Sequence, residues 1–426
     1  MSWTRGSIQC PGFNSQRLPS TVKITDIATF PVALELRHPF RIAGACFTHM
    51  RYVMIAVATD DGLTGYGESA PAWDVTGETQ CSVMECIDYL TEPDRTGFSL
   101  VGQELATLQD VRNIMAILSP DDRPGIFWGA PAAKAGLEEA LLDLVGKIAG
   151  KPVYELFGGK QRPVPYAPVL GIGPVGATLE HARELLENGF EKIKVKVGVD
   201  NCDGLDDYQR DVAVVVGTRE LIEKINPRAR LVADANQGFV TATKTIAFAR
   251  QTAGCLEYLE QPVLAGDLLG FKHIKEECDV PLMADESLHS HYDAQVLIEL
   301  KAVDWFNIKL MKCGGMIGAL KIADLARTHN IRVVIGSMLE NQIGAIPSLH
   351  TYFCDDIFSS TESGFFSYLK ANIGSGLSVE DGMIKTPSAP GIGLEVDERD
   401  FRKHLIAPDG SKTIQRILSL FGGTHA

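Results

Sequence analysis

The chain has 426 residues, 45% of them hydrophobic and 22% charged, with a net charge of −14. Enough apolar mass is present for a real core, and collagen-like, coiled-coil and largely disordered architectures are excluded. The acidic balance, without a long basic run, argues against nucleic acid or an anionic membrane surface as main partner. A small anionic substrate is still allowed, because a local cation or metal outweighs a global sign.

At roughly 100–200 residues per domain, the length predicts two or three domains, or one large α/β barrel with a smaller companion. The nine cysteines contain no CxxC pair, and their number is odd. Reduced thiols and a cytoplasmic setting are the expectation, not a disulfide framework. No run reaches the roughly 18 apolar residues of a membrane-spanning helix. The N-terminal stretch MSWTRGSIQCPGFNSQRLPS has no apolar signal-peptide segment and reads as a loose tail over 1–21.

From Val22 the pattern is strand-like: VKITDIATFPVAL, then YVMIAVATDDGLTGYGES around an Asp61-Gly62 turn. Apolar residues at three- and four-residue spacing then predict helices in TGETQCSVMECIDYL and, further on, in HARELLENG. AKAGLEEALLDLVGKIAG (133–150) is the strongest helix, with Gly150 and Pro152 placed to stop it. Residues 22–150 are therefore expected to form an α+β domain.

Over 151–384 short apolar strands alternate with helical stretches. The expected strands are YAPVLGIG (166–173), KIKVKVG (192–198), RLVADANQG (230–238), LEYLEQP (256–262), PLMADES (281–287), WFNIKLMK (305–312) and RVVIGSML (332–339). FSSTES (358–363) is a weaker eighth. Repeated βα units imply a parallel sheet, and eight of them in roughly 220 residues imply a closed (β/α) barrel. The segment 385–426 is loop-rich, with one last helix in TIQRILSLFG, and is expected to return to the first domain.

Barrel enzymes place their chemistry at the C-terminal ends of the strands. Three successive expected strands end in a carboxylate: Asp234, Glu260 and Asp285, spaced by 26 and 25 residues. Neighbouring strands lie roughly 5 Å apart, so the three can converge. Most acids are simply solvated. Three in phase on adjacent strand ends instead predict a hard divalent ion with oxygen ligands, Mg²⁺ before Ca²⁺, to offset their repulsion.

Lys194 and Lys196 share one face of their strand, and Lys309 comes four strands later, half-way round a barrel of eight. Each sits inside an otherwise apolar strand, where an unpaired charge is costly. Lys196 and Lys309 are thus expected to face each other across the cavity, with the acids between them and Lys194 as a helper. A metal that stabilises an enediolate, with a lysine on each side of the carbon, suits removal and return of a proton α to a carboxylate. One lysine alone would suit an elimination or a cycloisomerisation.

In order and spacing, DDGLTGYGES, AGLEEALLDLVGK with GKPVYELFGG, KVKVG, ADAN, LEQP, MADES, NIKLMKCGG and GSMLE resemble the enolase superfamily. The similarity is to its mandelate racemase and muconate-lactonizing branch; the Mg²⁺ and lysine-or-histidine chemistry of that superfamily is well known. The resemblance covers roughly residues 22–400. It implies a modified TIM barrel with an α+β capping domain to which the C-terminal segment returns. It implies Asp234, Glu260 and Asp285 as Mg²⁺ ligands, with Mn²⁺ as an alternative ion. Lys196 and Lys309 become the acid/base pair, Lys194 an electrostatic helper, and Asn236 and Glu286 supporting groups.

Lys-x-Lys followed by a distant lysine resembles the muconate-lactonizing subgroup, and NIKLMKCGG the dipeptide epimerases within it. Those epimerases usually carry Asp-x-Asp after the last strand to bind the substrate ammonium, where this chain has Ser360-Thr361-Glu362-Ser363. Glu362 can still meet a cation, but the departure also leaves room for a cycloisomerase or for a masked substrate nitrogen. Capping segments 38–50 and 71–79 are the expected specificity loops, which makes Arg41, His49 and Trp73 substrate-contact candidates, while Glu340 is expected either near the substrate carboxylate or bonded to a neighbouring strand. The expected partner is a small carboxylate substrate, and members of the family often form homo-oligomers.

Overall fold

The computed structural model describes residues 21–118, 129–198 and 207–408. The expected N-terminal tail and the TIQRILSLFG helix lie outside them, apart from Thr21. β1 (Val22–Ile42) and β2 (Ala45–Thr59) form a long antiparallel hairpin, and β3 (Thr64–Ser69) pairs with β2 through the Asp61-Gly62 turn. β4 (Glu104–Leu105) joins the other edge of β1, giving the order β3-β2-β1-β4.

The helix Pro131–Ala149 packs on this sheet and ends at Gly150 in the left-handed conformation. Two glycines of the GYG stretch allow the approach. A Cβ at Gly65 would stand 2.2 Å from the Ala140 carbonyl oxygen, and one at Gly67 2.0 Å from that of Gly136. Side chains there would force helix and strand apart.

The barrel sheet is parallel and eight-stranded: β5 (Val169–Leu170), β6 (Lys192–Lys196), β7 (Arg230–Asp234), β8 (Leu259–Glu260), β9 (Leu282–Ala284), β10 (Trp305–Ile308), β11 (Arg332–Ile335) and β12 (Phe358–Thr361). A parallel bridge between Tyr166 and Thr361 joins the first strand region to the last. The chain therefore forms the expected modified barrel with an α+β cap, although its strands are shorter than their apolar runs. WFNIKLMK is strand only to Ile308, and Leu310–Cys313 makes one helical turn.

The segment 38–50 corrects the reading of it as a loop. It is the far end of the β1–β2 hairpin, turning at Ala43-Gly44. The hairpin tip rests on the barrel mouth: Ile172 N–H donates to the Arg41 carbonyl at 2.7 Å. After the barrel, the helix Glu398–Lys403 lies on β1, with Phe401 packed against Phe30 and Tyr66. Ile406 N–H then donates to the Pro31 carbonyl at 3.0 Å.

Candidate active site

The ladder puts Lys196 level with Asp234, and Asp234 level with Glu260. Asp285 follows β9 by one residue. All three acids are fully buried, and one oxygen from each lies within 4.8 Å of the others. Backbone strain marks the same strand ends: Asn236 has φ +39° and Gln261 has φ +34°. Such left-handed residues cost free energy and persist where the surroundings hold them. Gln261 is held by donating to Ser287 Oγ and by accepting from the Asp285 and Ser287 N–H groups, which fixes the main chain around Asp285.

The lysines reach these acids from both sides. Lys196 Nζ lies 2.6 Å from Asp234 Oδ2 and 2.6 Å from Asn236 Oδ1. Lys194 Nζ lies 2.9 Å from Asp234 Oδ2, 2.8 Å from Glu260 Oε2 and 2.9 Å from Glu362 Oε1. On the opposite side Lys309 Nζ donates to Asp285 Oδ2 at 2.6 Å. Gly336 makes room for this side, since a Cβ there would meet Asn307 Oδ1 at 1.9 Å and Lys309 Cγ at 2.8 Å.

Burial pushes up the carboxyls of Asp234, Glu260 and Asp285, and the lysines oppose it with different success. Lys194 and Lys196 outweigh burial at Asp234, and Lys309 and Lys312 outweigh it at Asp285; both aspartates are held below the ordinary range. At Glu260, burial and then the Asp234 charge prevail over Lys194, and its carboxyl is pushed well up. Burial opposes the charge on Lys309, but Asp285 more than compensates, so its ammonium is held above the usual lysine range.

This donor set fits a small divalent ion. All the ligand atoms are carboxylate oxygens, the choice of Mg²⁺. Glu260 Oε2 faces the Lys194 ammonium but receives no well-directed hydrogen bond, and it is buried. A cation among the three would use that lone pair and relieve the repulsion that pushes Glu260 up.

Asn236 and Glu286 also join the site. Asn236 bridges them, accepting from Lys196 and donating from Nδ2 to Glu286 Oε1 at 3.0 Å. Burial and the charge of Asp285 raise the Glu286 carboxyl to about 7. Glu340 is buried beside the site; it accepts from Ser337 Oγ and Met338 N–H, and its Oε1 has no partner. Arg41, His49 and Trp73 are exposed, Trp73 to 77%, and none is held against the acid trio.

Two participants escaped the sequence reading. Asn307 donates to Glu260 Oε1 at 2.7 Å, and Lys312 binds Asp285. Both carried a signal, a polar residue inside the apolar run WFNIKLMK. Only the helical turn after Ile308 shows that Lys312 points back toward the acids and not along a strand.

A capped (β/α) barrel with three convergent acids and lysines on opposite sides defines a class of protein built for metal-assisted proton transfer. The model of the Mandelate racemase / muconate lactonizing enzyme N-terminal domain matches residues 24–158, and that of the Enolase C-terminal domain-like family matches residues 177–400. The chain is 30% identical over 391 residues to the N-succinyl-L-Arg/Lys racemase of Bacillus cereus, covering 91% of this chain and 99% of that one. The crystal structure of the N-succinyl Arg/Lys racemase from Bacillus cereus matches with a TM-score of 0.81 at 30% identity, over 91% of this chain and 99% of that chain.

A dipeptide epimerase from Enterococcus faecalis, complexed with Mg and L-Leu-L-Tyr, matches at 0.77 with 30% identity, over 88% and 99% of the two chains. A muconate lactonizing enzyme from Pseudomonas fluorescens, complexed with muconolactone, matches at 0.80 with 28% identity, over 90% and 100%. This chain belongs to the mandelate racemase and muconate-lactonizing branch of the enolase superfamily.

Proposed function

We propose that this protein is a Mg²⁺-dependent racemase or epimerase, an isomerase acting on a small carboxylate. It removes the proton α to the carboxylate of an amino-acid or dipeptide derivative and returns it on the other face, through an enediolate. The observation that carries this reading is the placement of Lys196 and Lys309 on opposite sides of one acid trio, each against a different aspartate. The names of the relatives support the substrate class: a racemase of N-succinyl Arg/Lys and a dipeptide epimerase.

In this mechanism Asp234, Glu260 and Asp285 would hold the ion. Bound Mg²⁺ supplies a Lewis acid for the charge that grows on the substrate oxygens as the proton leaves. Lys196 takes the proton from one face of the α-carbon and Lys309 gives one to the other; the reverse reaction exchanges their roles. One amine must therefore be neutral while its opposite is charged. Lys194, surrounded by three carboxylates, supplies a fixed charge beside the reacting group.

Glu362 bears on the substrate nitrogen. Its Oε1 is already paired with the buried Lys194 at 2.9 Å. Lys194, shared with Asp234 and Glu260, offsets part of the Glu362 charge and occupies one of its two oxygens, which weakens its pull on a free ammonium. The proposal therefore favours an amino acid with a masked, N-acylated nitrogen over a free dipeptide.

The muconate-type cycloisomerase is the second reading, supported by the match to the Pseudomonas fluorescens enzyme. A screen of N-acyl amino acids, dipeptides and muconates for Mg²⁺-dependent uptake of solvent deuterium at the α-carbon tests both. Inversion with no mass change beyond deuterium supports the racemase, and a new ring or a lost water supports the lyase. No exchange with any class would remove the central step. We also place the protein in the cytoplasm, a setting supported by an odd number of cysteines with no CxxC pair. None of the described helices is long and apolar enough to cross a membrane.

A further inference from the structure

Two lysines hold Asp285, and they hold it differently. Lys309 gives one hydrogen bond, to Oδ2. Lys312 gives three: to Asp285 Oδ1 at 2.5 Å, to the Asp285 carbonyl at 2.5 Å and to the Asn307 carbonyl at 3.1 Å. An ammonium has three N–H donors, so Lys312 is saturated and Lys309 is not. Exposure follows the same order, 1% for Lys312 and 7% for Lys309.

The local chain explains the difference. β10 stops at Ile308, the turn Leu310–Cys313 doubles back, and Gly314 and Gly315 leave it at φ +78° and +116°. That path brings the Lys312 ammonium to the main chain of both β10 and the end of β9. The far side of the site has a counterpart. Lys194, also 1% exposed, meets three carboxylates, while Lys196 stands nearer the surface at 8%. Each flank thus has an inner amine with its donors used and an outer amine with donors to spare.

We infer that Lys312 is a positioning residue, a fixed cation that locks the Asp285 carboxylate where its oxygens converge with those of Asp234 and Glu260. The inference rests on reading that trio as a Mg²⁺ site. An aspartate's terminal torsion is broad, so the residue does not set its own carboxylate plane. Lys312, anchored on two main-chain carbonyls, sets it. Lys309 is then free to leave Asp285 for the substrate without Asp285 losing its orientation.

Two effects of removing Lys312 have opposite signs. Loss of a nearby positive charge, by Coulomb's law alone, tightens binding of a cation. Loss of the group that orients a ligand weakens binding, by about 10- to 100-fold in typical metal sites. Positioning requires the second effect to win.

The test is a calorimetric titration of the full chain with Mg²⁺ alone, wild type beside Lys312→Met, which keeps the apolar stem and removes all three donors. The expected result is affinity about 10- to 100-fold weaker with an unchanged circular dichroism spectrum. A folded Lys312→Met that binds Mg²⁺ as tightly as wild type, or more tightly, would overturn the inference. Lys312→Gln is the second variant, neutral but keeping an amide donor; it should weaken binding by less, and wild-type affinity there also counts against positioning. If neither variant folds, Lys312 is a structural support and the assignment is wrong. A wild type that binds no Mg²⁺ would instead refute the metal-site reading itself.

Discussion

Two groups of buried carboxylates lie close together in this protein, and their partners set them apart. At the barrel mouth, Asp234, Glu260 and Asp285 are met by Lys194, Lys196, Lys309 and Lys312. Between cap and barrel, Glu68, Glu139 and Glu340 are held by main-chain N–H groups and a hydroxyl. Glu68 accepts from Asn341 and Gly344, Glu139 from Glu68 N–H, and Glu340 from Ser337 and Met338. Every one of the six is 1% exposed or less.

Burial is therefore not what distinguishes the groups. With lysines alongside, the two aspartates stay ionised, and the lysine-facing cluster can exchange one cation for another. With amides alongside, burial and then the Glu340 charge raise the Glu68 carboxyl to about 8, and burial pushes Glu139 well up. Acids of this second kind join segments of chain. Glu340 stands between the groups, raised chiefly by burial and eased first by the Ser337 hydroxyl and main-chain N–H groups, then by the charge of Lys309.

The largest expected effect falls on the lysines of the first group. Lys196→Ala and Lys309→Ala should each lower racemisation by about 10²- to 10⁴-fold while circular dichroism stays unchanged. Near-full turnover in both directions by either variant would break the two-base assignment. Next, Asp234→Asn should weaken Mg²⁺ binding by more than the roughly 10- to 100-fold that loss of a supporting partner costs. Undiminished affinity in calorimetry would place Asp234 with the structural acids.

A smaller effect tests the second group. The Glu68 carboxyl sits at about 8 in the fold against an ordinary 4.5, so the folded state holds a proton that the unfolded chain releases. That stabilisation is complete at acid pH and is lost as pH rises through about 8. The slope is about 1.4 kcal/mol per pH unit for one such group. Glu68→Gln should flatten the fall in thermal midpoint between pH 4.5 and about 8, and an unaltered slope would show Glu68 ionised in the fold. The smallest effect belongs to a solvated acid. Glu223, 62% exposed and paired with Arg219 at 3.1 Å, should tolerate Glu223→Gln within about 0.5 kcal/mol in chemical denaturation.

The acid trio was legible because strand ends repeat at one βα unit, so a regular spacing in sequence becomes proximity in space. Lys194, Lys196 and Lys309 were legible because a lysine inside an apolar strand needs a partner. Glu362 was found by position, but its pairing with Lys194 was not, since that contact joins β6 to the end of β12 across the closed barrel. The hairpin at 38–50 was misread as loop because its exposed residues alternate weakly. Among the amide-held glutamates Glu139 carried no signal: it lies within the best helical pattern in the chain and looks there like an ordinary surface acid.

By itself, then, the sequence specified the alternation of strand and helix, the phase of the carboxylates and the lysines embedded in β6 and after β10. These are local or periodic properties, carried by side chains within a few residues of one another. Only the folded chain decided which carboxylates keep a charge and which take a proton, and that Lys312 turns inward. Those outcomes depend on which groups, hundreds of residues apart in places, share one water-free volume, and electrostatic energy in such a volume is set by distance and not by order along the chain.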